Sequence, residues 1–377
     1  MEIYLFFASL VCSLVVAMLI IRYQHLHERF SLDHDLAGVQ KFHVTPTPRI
    51  GGVPVFGGFV AGALVYGFQS DFAEIGLLLA ASLPVFAAGL VEDLTKRVSP
   101  MVRLLAAFLS AGLGVMLLNA VLVRLGLPLV DGVLLAYPPL AVLVTVFAVG
   151  GVCHSVNIID GYNGLMGGVS VLASLAFAYV SYQLGDGLLF SVSLSLAAAL
   201  LGFLVWNFPR GLIFAGDAGA YFVGFMLAEL AVLLVARHPQ TLSPWFPLLV
   251  LIYPIFETVF TILRRRQRKM AAGLPDSMHF HQVVYKRLVR WMIGRRNAKY
   301  LLKRNSMTAP YLWAMALLTV SPAMLFWQYE WVLQLFCILF IATYVWLYRR
   351  IVRFRSPRWL VYRKVAHEQQ EHYAPHD

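Results

Sequence analysis

Along this chain, polar residues are scarce inside long apolar runs and crowd into the gaps between them. A run of roughly 17–25 apolar residues is long enough for one helix to cross a bilayer. Such runs lie near 3–21, 51–68, 75–91, 101–123, 133–152, 165–182, 187–206, 218–236, 244–263, 309–327 and 331–348. The pattern predicts eleven transmembrane helices and an all-α, polytopic membrane protein. The first run has no basic residue before it and no small-x-small cleavage site after it, so it reads as a helix and not as a removed leader. No repeat of the inverted-transporter kind stands out. The segments between runs are too short for a separate soluble domain, so residues 1–377 read as one transmembrane domain.

Composition sharpens the class: 60% of residues are hydrophobic and 13% charged, far from the balance of a soluble domain. Arg22 and Arg29 follow the first run, and by the positive-inside rule they place the N-terminus outside and the C-terminus in the cytoplasm. The predicted cytoplasmic segments are then 22–50, 92–100, 153–164, 207–217, 264–308 and a basic tail, 349–377. Of thirty Lys and Arg residues, twenty-seven fall in these segments and Arg103 opens a span at the same face, leaving Arg124 and Arg237 outside. The net charge of +11 is therefore mostly topological, so it is not read as nucleic-acid binding, and it favours contact with membrane lipids. Cys12, Cys153 and Cys337 have no paired or metal-like spacing and read as small core residues.

The chemistry lies in the cytoplasmic segments. The first ends in Lys41-Phe42-His43-Val44-Thr45-Pro46-Thr47-Pro48-Arg49-Ile50-Gly51-Gly52, stiffened by prolines and opened by glycines. This is either a rigid re-entry into the membrane or a place where Lys41 and Arg49 meet an anionic substrate. In the second, Glu92 and Asp93 stand at a helix C-terminus, where anions are disfavoured. Acids beside bases suit a site handling Mg²⁺ and phosphates, although a solvated charged loop would look the same. The third, Asn157-Ile158-Ile159-Asp160-Gly161-Tyr162-Asn163-Gly164, carries ordinary turn dipeptides, but it puts a carboxylate where an apolar chain has few. In the fourth, Asp217 lies between glycines where a helix begins, so it reads as an N-cap and a metal ligand together. The fifth opens with a basic run from Arg264 that anchors topology and touches anionic headgroups. It continues to His279-Phe280-His281-Gln282, two histidines suited to phosphate oxygens at least as well as to zinc. Acids, amides, histidines and bases on one face imply phosphoryl transfer between a soluble donor and a membrane-resident acceptor.

Taken in order, Pro46-Thr47-Pro48-Arg49-x-Gly51-Gly52, the acidic pair, Asn157-x-x-Asp160-Gly161-x-Asn163-Gly164, Gly216-Asp217-x-Gly219 and His279-x-His281 resemble the polyprenyl-phosphate N-acetylhexosamine-1-phosphate transferases over nearly the whole chain. The resemblance implies an enzyme of the bacterial inner membrane. It would move a sugar 1-phosphate from a UDP-N-acetylhexosamine to undecaprenyl phosphate, release UMP and start a surface glycan such as O-antigen. It implies Mg²⁺, with Mn²⁺ as an alternative, held by Asp217 and Asn157. Asp160 and Asn163 would bind the nucleotide, Glu92 and Asp93 would face the lipid phosphate, and His279, His281 and Arg103 would contact donor phosphates. It leaves a homodimer open and does not choose the sugar.

Three positions depart from the family pattern: Glu92 stands where Asp is usual, Gln282 replaces a further histidine, and Asn163 replaces an Asp found in several relatives. Asp93 is then expected to be the essential member of its pair. An acceptor phosphate with a second pKa near 6 is already mostly dianionic at neutral pH. In-line attack is therefore expected, with Asp93 orienting the acceptor and completing its deprotonation; a phospho-aspartate route is the alternative. Two other functions compete: the phospho-MurNAc-pentapeptide translocase, which usually has an unbroken triple histidine, and a transporter or lipid flippase built on Glu229 and Glu257 within the spans. The one-sided polar cluster favours the transferase. Glu229 is then expected to pair with a neighbouring helix, and Glu257 to support the site from behind.

Overall fold

The structure, a computed structural model, describes residues 2–31, 47–267, 278–289 and 298–353. Its helices are α1 (Glu2–Arg22), α2 (Gln24–Ser31), α3 (Gly52–Gln69), α4 (Ala73–Thr95), α5 (Pro100–Leu118), α6 (Pro128–Ala136), α7 (Pro138–Ile159) and α8 (Leu165–Gln183). There follow α9 (Gly187–Asn207), α10 (Gly216–Arg237), α11 (Trp245–Val250), α12 (Ile252–Gln267), α13 (Phe280–Val283) with a π-helical turn Val284–Val289, α14 (Ala298–Leu325) and α15 (Glu330–Val352). Among the described residues, ten helices are long and apolar enough to span a membrane, and the protein is an all-α, multi-pass membrane protein.

Nine of the eleven expected spans lie on single helices; 244–263 is broken at Leu251 into α11 and α12, and 133–152 begins in α6 and crosses Tyr137 into α7, the helix long enough to span. Pro254 has no N–H to offer the carbonyl of Val250, so one rung of the helical ladder is missing next to the break. The fourth span also stops short of its expected end. Asn119 adopts a left-handed conformation with φ 52° and ends α5, and the short α6 precedes α7.

The bundle is organised around α10, which packs against α3, α4, α5, α7, α8 and α9. Nearly every residue of α10 is buried, and an apolar sequence all round is what such a position requires. Small residues let its neighbours approach closely, as between membrane helices generally. A Cβ on Gly89 of α4 would lie 2.6 Å from the Ala218 backbone, so only glycine fits where α4 crosses the start of α10. The helix ends divide into two faces. One gathers the start of α3, the end of α4, the end of α7, the start of α10 and α13; the other holds Arg124 and Arg237, the two basic residues that the charge pattern left outside. Both are paired there, Arg124 with Glu330 at 3.5 Å and Arg237 with Glu74 at 2.8 Å.

Glu229 corrects one expectation. It is 1% exposed in mid-α10 and lies against Gly114 of α5, but its Oε1 has no hydrogen-bond partner. The side chain fills a glycine notch instead of pairing across helices.

Candidate active site

The site is assembled at the N-terminus of α10, where Gly216 has φ +68° and a Cβ would collide with the Arg49 carbonyl and the Asp93 carboxylate. The start of a helix offers unpaired N–H groups. Two of them, from Asp217 and Ala218, donate to the two oxygens of Asp93 at 2.8 and 2.9 Å. The guanidinium of Arg49 stands 4.0 Å from the same carboxylate, on a segment tied to the loop before α10 by Gly51 N to Phe214 O and Phe214 N to Pro48 O, both 2.8 Å. Asp93 is thus an internal cap for α10, 1% exposed, and it fixes the peptide that carries Asp217. Both its oxygens accept backbone bonds in a buried position, an anchoring role that the expectation of a residue facing the acceptor did not include.

The acidic pair separates because adjacent residues on a helix point about 100° apart. Glu92 turns away and accepts the Val98 amide at 2.7 Å, closing the turn between α4 and α5. Asp217 receives Asn157 Nδ2 on Oδ1 at 2.8 Å and Arg103 Nη1 on Oδ2. The Arg103 guanidinium lies 5.8 Å from the centre of the Tyr221 ring, and Tyr221 Oη shares a 3.1 Å hydrogen bond with His154 Nδ1. Sequence reasoning missed both His154 and Tyr221. Helical spacing was the available signal, since His154 precedes Asn157 by three residues and Tyr221 follows Asp217 by four.

Asp160 caps α7 close enough to interact with Asp217 and Arg49. Burial, reinforced by the Asp217 charge and opposed by Arg49, pushes its carboxyl up to about 7. Asn163 serves the scaffold: its backbone N–H donates to Asn305 Oδ1 at 2.8 Å and its Nδ2 to the Pro209 carbonyl at 3.1 Å, so at 3% exposure it holds loops together instead of facing a nucleotide. The histidine segment comes alongside, with the Gly161 backbone against the His281 ring and Tyr162 packed on His281 and Tyr285. The rings of His279 and His281 lie parallel, 5.3 Å apart. Glu257 accepts from His279 Nδ1 at 3.1 Å, from the Phe280 amide at 3.0 Å and from Tyr344 Oη of α15 at 2.8 Å, so it does support the site from behind. Gln282 accepts the His279 amide at 3.2 Å and closes the cap of α13. Lys41 lies outside the described residues.

A carboxylate and an amide oxygen form a hard donor set, suited to Mg²⁺ or Mn²⁺. Among the described residues, no three His, Cys, Asp or Glu side chains converge as a closed cage. Mg²⁺ usually takes one or two carboxylates and fills its shell from phosphates and water. The residues fit such an ion, which Asp217 and Asn157 would hold.

Comparison with known proteins leads to the same place. Residues 75–235, which include Asp93, Asn157, Asp160 and Asp217, match the model of glycosyl transferase family 4. The chain is 31% identical over 245 residues to a probable undecaprenyl-phosphate N-acetylglucosaminyl 1-phosphate transferase of Bacillus subtilis, covering 64% of this chain and 66% of that protein. It is 28% identical over 272 residues to the decaprenyl-phosphate N-acetylglucosaminephosphotransferase of Mycobacterium tuberculosis, covering 63% and 65%. It is also 25% identical over 257 residues to an undecaprenyl-phosphate alpha-N-acetylglucosaminyl 1-phosphate transferase of Escherichia coli, covering 66% and 68%. The match thus spans just under two thirds of the length of the first two of these relatives. With the acids of the matched stretch gathered around α10, residues 75–235 are similar to glycosyl transferase family 4, and the chain is similar to polyprenyl-phosphate N-acetylglucosamine phosphotransferases.

Proposed function

We propose that the protein transfers an N-acetylhexosamine 1-phosphate from a UDP-sugar to undecaprenyl phosphate, releasing UMP and forming the lipid pyrophosphate sugar that begins a surface glycan. The observation that carries this is the Asp217 cluster, in which an acid, an amide and Arg103 meet at a helix N-terminus on the membrane face. The charge pattern supports a cytoplasmic position for that face, where a nucleotide sugar is available, and the family resemblance supports a bacterial inner membrane.

Bound Mg²⁺ would neutralise the donor pyrophosphate and the charge that develops on the leaving UMP. Asp217 and Asn157 would hold it in place. Arg103 and Arg49 supply positive charge beside them for phosphate oxygens, and the His281 ring, beside Gly161, adds a polar contact, with His279 braced by Glu257. Asp160, close to Asp217, is placed to meet the nucleotide. Asp93 serves by fixing α10. The attacking oxygen belongs to an acceptor phosphate already mostly dianionic at neutral pH, so direct attack needs no protein nucleophile, and the doubly bonded Asp93 is poorly placed to be one.

The rest of the acceptor is a hydrocarbon, which an apolar surface would suit. An apolar cleft of about 300 Å³ runs from Val152 and Ile255, towards the site end, to Leu127 and Trp245 at the other. The test is UMP release by the purified protein in lipid, with undecaprenyl phosphate and a panel of UDP-N-acetylhexosamines. Release that needs the lipid and is abolished by EDTA is expected. UMP only from UDP-MurNAc-pentapeptide would move the protein to the translocase, and counterflow uptake into vesicles without UMP would make it a transporter.

A further inference from the structure

Both oxygens of Asp217 are already engaged by protein donors, Oδ1 by Asn157 and Oδ2 by Arg103. A cation that binds this carboxylate must therefore compete, and the competitor with charge is Arg103. Three further observations define that competition. Arg103 Nε is buried without a hydrogen-bond partner, a costly state for a donor, so the guanidinium is only partly satisfied on Asp217. The Tyr221 ring beside it is held in place by the His154 hydrogen bond and offers a cation a second contact that uses no carboxylate. Finally, Arg103 enters from the first turn of α5, a different helix from either proposed metal ligand, so it can shift without moving Asn157 or Asp217.

We propose that Arg103 is a counter-ion exchanged at Asp217 by the divalent cation, and that the displaced guanidinium, kept in the site by Tyr221, is handed to a substrate phosphate. The exchange rests on the transferase reading of the site. It makes cation binding and nucleotide binding mutually dependent. The protein alone holds the cation weakly because Arg103 opposes it, whereas a phosphate that accepts Arg103 removes the opposition. The same arrangement keeps Asp217 neutralised between turnovers and couples metal loading to arrival of the donor.

The prediction runs against the usual effect of removing an active-site residue. In lipid nanodiscs without nucleotide, Mn²⁺ binding followed by electron paramagnetic resonance should be roughly tenfold tighter in Arg103→Gln than in the wild type, one decade being the scale on which a neighbouring unit charge biases a carboxylate. Arg103→Lys, which keeps the charge, should stay within about threefold of the wild type. Adding UDP should tighten Mn²⁺ binding in the wild type and do so much less in Arg103→Gln. Equal or weaker Mn²⁺ binding by a folded Arg103→Gln, with a wild-type melting temperature, overturns the exchange. Asp217→Asn separates this from the site assignment. It should lose Mn²⁺ binding; if it binds like the wild type, the metal assignment falls and the exchange with it. If Asp217→Asn loses the ion but Arg103→Gln binds no tighter, only the exchange falls.

Discussion

Asp93→Asn tests the most specific geometric statement made here, that this residue acts by anchoring α10. The carboxylate accepts the Asp217 and Ala218 amides at 2.8 and 2.9 Å. Asparagine keeps one acceptor oxygen and turns an NH₂ group towards the other backbone N–H. One charge-assisted bond is lost, the second becomes neutral, and a buried donor is orphaned. With bonds to charged groups contributing about 1.5–3 kcal/mol and an orphaned donor costing about 1–3 kcal/mol, a loss of about 3 kcal/mol is expected. The strain falls on the peptide that carries Asp217. If it is expressed in the transition state, turnover drops roughly a hundredfold. UMP release at saturating donor, acceptor and Mg²⁺ measures that loss, and Mn²⁺ binding and thermal unfolding on the same samples locate its cause. Anchoring predicts that all three worsen together. A variant that lost turnover but kept wild-type Mn²⁺ affinity and melting temperature would refute anchoring and return Asp93 to direct contact with the acceptor. More than a third of wild-type turnover would show that the two amide bonds contribute little.

Other perturbations follow from the same contacts. Gly216→Ala places a Cβ against the Arg49 carbonyl and Asp93 at φ +68°, so UMP release should fall at least about a hundredfold, the cost of roughly 3 kcal/mol of misplacement; near-normal turnover would mean that the α10 N-terminus tolerates displacement. Tyr344→Phe removes the 2.8 Å bond to Glu257 but no group of the site itself, and losing about 1 kcal/mol of hydrogen bonding should lower kcat/KM roughly fivefold. An unchanged value would show that α15 does not position His279. Asp160 carries a carboxyl raised from 3.8 to about 7, so folding favours its neutral form. That contribution is complete below about pH 4 and is lost as pH rises to 7. In EDTA, Asp160→Asn should therefore gain melting temperature relative to the wild type between pH 5 and 8 and match it near pH 4, and a pH-independent difference would contradict the burial assigned to this acid.

Much of the fold could be read from the sequence because a bilayer leaves few choices: runs long enough to cross it are helices, and basic residues mark one face. Where the reading fell short, the deciding contact was between distant segments. The break at Leu251 lies inside an apolar run, where Pro254 was visible but its effect on the helix had to be weighed against a segment otherwise long enough to span. Glu229 was expected to find a polar partner, yet Gly114, a residue with no side chain to announce itself, had made the space for it. His154 and Tyr221 stand outside the loop motifs, one turn inside α7 and α10, where a histidine or tyrosine in an apolar helix looks like core.

The site itself was half legible, for a reason that applies within each motif. A motif names residues close in sequence, but a helix or turn can aim only some of them at one point. Asp93 turns to the start of α10 while Glu92 closes its own turn. Asp160 lies towards Asp217 while Asn163 ties its loop to Pro209 and Asn305. His279 is held by Glu257, and Gln282, where the family has a further histidine, caps the short helix beneath it. In each pair one polar residue reaches the chemistry or its immediate support, and the other keeps the loop in shape. The position of Gln282 shows what this division permits. Its side chain accepts the His279 backbone N–H, so a residue without a histidine's chemistry can serve there as long as it holds the loop. Gln282→His should therefore affect the fit of α13 more than the chemistry of transfer, and Gln282→Ala, which removes the 3.2 Å bond, should raise the KM for the UDP-sugar while leaving kcat within about threefold. A large fall in kcat with unchanged KM would show instead that Gln282 touches the reacting phosphates, and its reading as a loop-holding residue would fail.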